Sequence, residues 1–241
     1  MENHKKPLDE YLQDVLVRLA HHSSAIEGNT ISLPDTVSII LHNTIPGGYS
    51  KREFFEIENH RDAFTYVIDR LYEKEPLRTY IIKDIHDKLM DRLLIDKGQF
   101  KTVENAIQGA DFLTAAPHET PMLIQQWVDN LNYQLDNAKS DKDIVRVVID
   151  FHIQFERIHP FTDGNGRTGR MLMNYSLMQK DLPPLIIQGS ERAKYTNLLA
   201  KQDIDGFTEF AYQLIQEEAK RMDRFIHKER AQVKDSDNEL D

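Results

Sequence analysis

An all-α fold is predicted by three observations. Apolar residues recur at three- and four-residue spacing through most of the 241-residue chain. Glycine and proline punctuate those runs where helices stop or start, as at Gly28, Pro121 and Pro183-Pro184. A single stretch, Gly98 to Phe112, has no 3.6-residue period and carries glycines toward both ends, so it reads as a short β-hairpin or extended loop.

The elements follow in order. In the first helix Leu12, Val15, Leu16, Leu19 and Ile26 fall on one face, and Gly28 supplies the stop. Ile31 to Ser50, with Pro34, Pro46, Gly47 and Gly48, reads as a loop that sets this helix apart from the rest. Arg52 to Tyr72 carries the stripe Phe54, Ile57, Ala63, Phe64, Val67 and Leu71, and Thr79 to Leu94 repeats it through Ile82, Ile85, Leu89 and Leu93. Pro121 opens a further helix to Leu135. Asp141 to Ile158 is the most apolar of all, with Ile144, Val147, Val148, Phe151, Phe155 and Ile158 at core spacing, and is placed at the centre. Helices from Arg167 to Lys180, Ser190 to Ala200 and Gly206 to Glu229 close the chain. The expected organisation is an N-terminal helical segment, 1–30, packed on one domain of 31–228, then a polar, disordered tail, 229–241.

Composition narrows the function. Thirty Lys+Arg against forty Asp+Glu leave a net charge of −10, which argues against a broad nucleic-acid face but permits a small phosphate site. The absence of cysteine removes thiolate metal sites and cysteine nucleophiles. No apolar run reaches the ~18 residues of a membrane span, and no signal peptide is read at Met1–Pro7, so a cytoplasmic protein is expected.

The densest chemistry lies at 159–170, His-Pro-Phe-Thr-Asp-Gly-Asn-Gly-Arg-Thr-Gly-Arg, which spends three of ten glycines beside two arginines. Asp163-Gly164-Asn165-Gly166 is a turn of little bulk ahead of a helix, so its backbone N–H groups can point at an anion, where the helix dipole adds attraction. Arg167 and Arg170, three apart, project in similar directions and suit a di- or triphosphate. Asp163 offers one oxygen ligand of the kind Mg²⁺ takes together with phosphates. His159 can accept a proton from a hydroxyl near neutral pH. These parts describe transfer of a phosphorus-centred group from a nucleotide to a hydroxyl.

This stretch resembles the signature of Fic-domain proteins, His-Pro-Phe-x-(Asp/Glu)-Gly-Asn-Gly-Arg-x-x-Arg, and the likeness in the flanks extends from Tyr11 to Gln216. The resemblance implies a helical Fic fold around a helix–loop–helix site, with a short β-hairpin flap at about 100–113. It also implies transfer of AMP from ATP, with Mg²⁺, to a Ser, Thr or Tyr of a target protein or of the chain itself. Carried over, His159 is the general base and Asp163 the metal ligand. Gly164, Asn165 and Gly166 cradle phosphates, flanked by Thr168 and Gly169, and Arg167 and Arg170 hold the leaving pyrophosphate. Ala106, Ile107, Gln108 and Gly109 match the flap that covers the nucleotide and docks the target as an added strand. Tyr195, Thr196 and Asp203 stand where relatives contact adenine, although Thr196 and Asp203 depart from the common residues.

Ser23-Ser24-Ala25-Ile26-Glu27-Gly28-Asn29 ends the first helix, with Ser23 and Glu27 four apart on one face. A glutamate there has the wrong sign for the helix dipole, so a cationic partner is expected. The segment resembles the family's inhibitory motif, (Ser/Thr)-x-x-x-Glu-(Gly/Asn), in its N-terminal form. That resemblance implies that Glu27 pairs with Arg170 and takes the space of the γ-phosphate. The competing readings are removal of AMP from a modified protein and a nucleotide-binding regulator without turnover; homo-oligomerisation stays open. His86 and His152 read as core or rim residues, Trp127 as a helix anchor, and His21-His22 lack a zinc pattern.

Overall fold

The computed structural model describes residues 9–107 and 112–238, with side chains as far as 227. Its elements are α1 (Glu10–Ile26), α2 (Leu33–His42), α3 (Lys51–Tyr72), α4 (Thr79–Leu89), α5 (Thr120–Asn137), α6 (Asp141–Ile158), α7 (Asn165–Gln179), α8 (Arg192–Lys201) and α9 (Ile204–Asn238), with a 3₁₀ turn at Gly189–Glu191. No strand is present among the described residues. None of their helices is long and apolar enough to cross a membrane.

The central helix is α6, packed against α5, α7 and α9, while α3 lies against α1 and α4. Val148, Phe151 and Phe155 are buried as the periodicity predicts, and Val145, Ile149 and Ile153 join them because helices surround α6 on more than one side. Burying each such side chain contributes about 1.5–3 kcal/mol. Trp127 anchors α5 by donating from Nε1 to Phe151 O across 2.8 Å, so its one polar atom is satisfied in the core.

Three boundaries differ from the sequence reading. The stretch Ile31–Ser50 contains α2: Ser32 caps it by accepting from Asp35 N, Pro34 sits in the first turn where its missing N–H costs nothing, and Ile39 and Ile40 reach the core. α4 stops at Leu89, five residues early, because Asn59 Nδ2 captures Leu89 O at 3.0 Å and Asp91 O at 2.7 Å, which turns the chain away from the helix. α9 continues to Asn238, past Glu229, on a sequence with neither glycine nor proline after Gly206.

The expected flap hairpin is not formed in the described part of 100–113: residues 100–107 and 112–116 are irregular, and 108–111, which include Gln108 and Gly109, fall outside the described residues. Side-chain bonds to the loop after α6 occupy this segment in place of a ladder with itself.

Candidate active site

The site grows from the junction of α6 and α7. α6 ends at Ile158 because His159 turns left-handed, with φ 49° and ψ 61°. Gly164 (φ 76°) then caps α7, and a Cβ at that position would collide with Met90. Asn165 clamps the loop from inside: its Oδ1 accepts from Phe161 N at 2.9 Å and its Nδ2 donates to Phe161 O at 2.8 Å. The Asn165 side chain is therefore a loop clamp, buried to 1% exposure, which leaves its backbone N–H as the group free to meet an anion. What can cradle an anion is the backbone: the first-turn N–H groups of Asn165, Gly166 and Arg167 have no intrahelical acceptor.

His86 of α4 supports the loop from below, a role its apolar surroundings in sequence do not announce. Its ring stacks on Phe161 with centroids 3.7 Å apart. Gly98 N–H donates to Nδ1 at 2.8 Å, so Nε2 carries the proton and donates to Asp163 O at 2.9 Å. Burial lowers this histidine to about 4, which keeps that tautomer neutral.

His159 Nδ1 lies 3.2 Å from Glu156 O, so the proton resides on Nδ1 and Nε2 keeps its lone pair. Burial, and then the Lys101 charge, hold this imidazole below the ordinary histidine value, against the opposing pull of the Glu156 carbonyl, Glu27 and Asp163. Eight residues along the motif, Arg167 is 3% exposed with Nε and Nη1 lacking a hydrogen-bond partner, its nearest carboxylates being Glu56 at 3.6 Å and Asp163 at 4.0 Å. Burial outweighs both carboxylates and lowers the guanidinium. A desolvated cation with open donors at a helix N-terminus attracts an anion. Thr168 Oγ1 is buried and unpartnered as well.

Arg170 is occupied. Its Nε donates to Ser23 Oγ and its Nη2 to Ser23 O, each at 2.9 Å, and Nη2 reaches Glu27 Oε1 at 2.6 Å. Burial alone would raise Glu27, but the charge and hydrogen bond of Arg170 outweigh it and hold the carboxyl below its usual range. Glu27 also stands over Gly166, where an added Cβ would strike its Oε1. Glycine is thus required at 166 for the carboxylate to approach the turn.

Asp163 is engaged too. Arg52 of α3 donates from Nη2 to Asp163 Oδ2 at 2.7 Å, and Gly164 N–H donates to Oδ1 at 2.6 Å. Burial would raise this carboxyl; those hydrogen bonds and the Arg167 charge outweigh it and lower it. Arg52 Nε binds Glu56 at 3.0 Å, and Glu56 also accepts from Asn29 Nδ2 at 3.0 Å, so the end of α1 is wired to Asp163 through α3. Neither Arg52 nor Glu56 belongs to a local motif that sequence reading could have flagged.

Of the residues matched to adenine contacts, Tyr195 lies beneath Arg170, whose guanidinium carbon stands 5.8 Å from its ring centroid. Tyr195 is 2% exposed, with its hydroxyl 2.8 Å from His152 Nε2. The Thr196 hydroxyl donates back to Arg192 O, and Asp203 accepts from Gly206 N as the cap of α9. Gly169 packs against His152 and Glu156, close enough that no side chain fits. Ala106 is exposed and Ile107 half-buried in the irregular segment. No cluster of three or more His, Cys, Asp or Glu side chains that could hold a metal occurs among the described residues.

Residues 76–177 match the family model described as Fic/DOC family. A protein named protein adenylyltransferase Fic from Drosophila willistoni is 31% identical over 194 residues, 79% of this chain and 38% of the relative. The relative from Drosophila grimshawi is 30% identical with 39% of its length covered, so the chain spans about two fifths of these proteins. Among solved structures, a Fic domain containing signaling protein from Bacteroides thetaiotaomicron superposes with TM-score 0.78 at 23% identity, covering 88% of each chain. Fic-1 from C. elegans gives TM-score 0.75 at 24% identity, over 92% of this chain and 66% of that one. At these identities the structures establish a shared fold.

Proposed function

This chain carries a domain of the Fic/DOC family, and on that premise we propose that it is a protein adenylyltransferase, held off by Glu27, that moves AMP from ATP to a Ser, Thr or Tyr hydroxyl of a protein, itself included. The observation that carries the reading is one loop with two chemistries. His159 keeps a free Nε2 at its start, and the buried Arg167 with unpartnered donors stands in the open first turn of α7 at its end. The first suits a hydroxyl proton, the second a polyphosphate.

In the transfer, His159 Nε2 takes the hydroxyl proton while the hydroxyl oxygen bonds to the α-phosphorus of ATP. The bond from that phosphorus to the bridging oxygen of pyrophosphate breaks, and pyrophosphate leaves with the electron pair. The first-turn N–H groups of α7 and Arg167 stabilise the charge that gathers on the leaving group. Asp163 is the group to hold Mg²⁺, which when bound neutralises phosphate charge; Arg52 must release the carboxylate for that.

Arg170 is the second guanidinium placed to share the pyrophosphate charge, and Glu27 spends it. With the pair intact, the carboxylate beside Gly166 repels phosphate and neutralises the cation that would bind it. The test is intact-mass measurement of the Glu27→Gly variant with ATP and Mg²⁺: an added AMP on the protein or on lysate proteins is expected. Absence of any adduct would overturn the assignment.

A further inference from the structure

Four successive carbonyls, Ile158 to Phe161, all accept hydrogen bonds from two residues of one distant segment. Lys101 Nζ donates to Ile158 O at 3.2 Å, and Lys101 N donates to Pro160 O at 2.9 Å. Asn105 Nδ2 donates to His159 O at 3.2 Å and to Phe161 O at 2.8 Å. Lys101 Nζ also binds Asn105 Oδ1 at 2.7 Å and Thr114 Oγ1 at 3.1 Å, so the two arms are locked to each other and to the far side of the segment.

This arrangement is costly enough to need a reason. Lys101 is 3% exposed, and the hydrogen-bond acceptors of its ammonium are an amide, a hydroxyl and a peptide carbonyl, none of them a carboxylate. Burying a cation on neutral partners is disfavoured, and burial lowers this lysine accordingly. What it buys is at His159. A non-glycine residue in the left-handed region costs about 1–3 kcal/mol and persists only where surroundings over-determine it. The carbonyls of a helix C-terminus also lack intrahelical donors and attract positive charge.

We propose that Lys101 and Asn105 are positioning residues for His159: Asn105 holds the backbone that aims the imidazole, and the Lys101 ammonium keeps that imidazole neutral and ready to take a proton. The proposal rests on the adenylyltransferase reading for its kinetic consequence, but the titration of His159 does not depend on it. The charged groups facing His159 are Lys101 from this segment, Glu27 from α1 and Asp163 from its own loop. Lys101 opposes protonation; the two carboxylates favour it. Glu104, four residues before Gln108, is the carboxylate that acts on Lys101.

The experiment follows the histidine titrations by NMR in the full chain, with ¹⁵N-labelled imidazoles. Lys101→Met is expected to raise the His159 midpoint by about half a pH unit or more, leaving His60 and His152 where they are. Lys101→Arg, which restores the charge, is expected to return it. Asn105→Ala keeps the ammonium, so it should lower kcat for AMP transfer about tenfold with KM for ATP little changed, and leave the midpoint unmoved. In the Glu27→Gly background the same variants give those rates. An unmoved His159 midpoint in Lys101→Met overturns the electrostatic role, and an unchanged kcat in Asn105→Ala overturns the tether. Should Lys101→Met not fold, Lys101→Gln keeps a donor without the charge and must show the same rise. If no variant transfers AMP while the midpoint rises as described, the adenylyltransferase reading fails and the positioning of His159 stands.

Discussion

Glu27 Oε1 meets Arg170 Nη2 at 2.6 Å across 143 residues of sequence, and Ser23 holds the same guanidinium through both its hydroxyl and its carbonyl. A charged hydrogen bond of this kind is worth about 1.5–3 kcal/mol. Removing it frees a cation for phosphate, so Glu27→Gly is expected to raise the rate of AMP adduct formation by about tenfold to a hundredfold. Ser23→Ala keeps the Ser23 carbonyl and Glu27, and is expected to give a smaller gain. Equal rates in parent and Glu27→Gly, read by intact mass, would remove the inhibitory role.

His159 is held below the ordinary histidine value of 6.5, first by burial and then by Lys101. Its neutral, base-competent form therefore persists to lower pH than for a free imidazole. The acid limb of the AMP-transfer rate should fall with a midpoint below 6.5, and His159→Ala should abolish adducts while an ATP analogue still binds. A limb centred above that value would assign the base elsewhere.

Asp163 and Arg52 form an exposed pair at 2.7 Å, with the arginine about half exposed. Such a pair contributes little to stability, roughly 0–1 kcal/mol, yet on the proposed function it would compete with Mg²⁺ for the same carboxylate. Arg52→Gln is expected to lower, by about threefold, the Mg²⁺ concentration at which a non-hydrolysable ATP analogue reaches half-saturation. Asp163→Asn should remove the Mg²⁺ dependence of that binding. Both are read by titration calorimetry, and a higher Mg²⁺ requirement in Arg52→Gln would contradict the competition.

Glu156 is a buried acid beneath Gly169, with Oε1 unpartnered and burial raising its carboxyl from 4.5 to about 7. The folded state binds this proton more tightly than the unfolded chain does. Its contribution is therefore present below pH 4.5 and lost as pH rises through about 7, a cost of about 3 kcal/mol. Glu156→Gln should melt several degrees above the parent at pH 8 and near the parent at pH 4.5. A variant that gains nothing at pH 8 would show Glu156 to be better solvated than its surroundings indicate.

The dividing line between what sequence and structure disclose falls at the range of the contacts. His159 to Arg170 is readable because twelve consecutive residues carry the chemistry, and the start of α7 follows from its own glycine at 164. The helix stripes are readable for the same reason, since periodicity is local. α2 escaped because Pro34 reads as a breaker until Ser32 is seen capping ahead of it. The engagement of Asp163 by Arg52 spans 111 residues and that of His159 by Asn105 spans 54, and neither leaves a local pattern. The contact of Tyr195 with His152 spans 43 residues and is equally invisible to local reading. The sequence by itself determined all the long helices, the loop and the pairing types available to its charges. Only the tertiary structure decided which donors remain open, Arg167, and which are spent, Arg170, because satisfaction of a buried charge depends on every element packed around it.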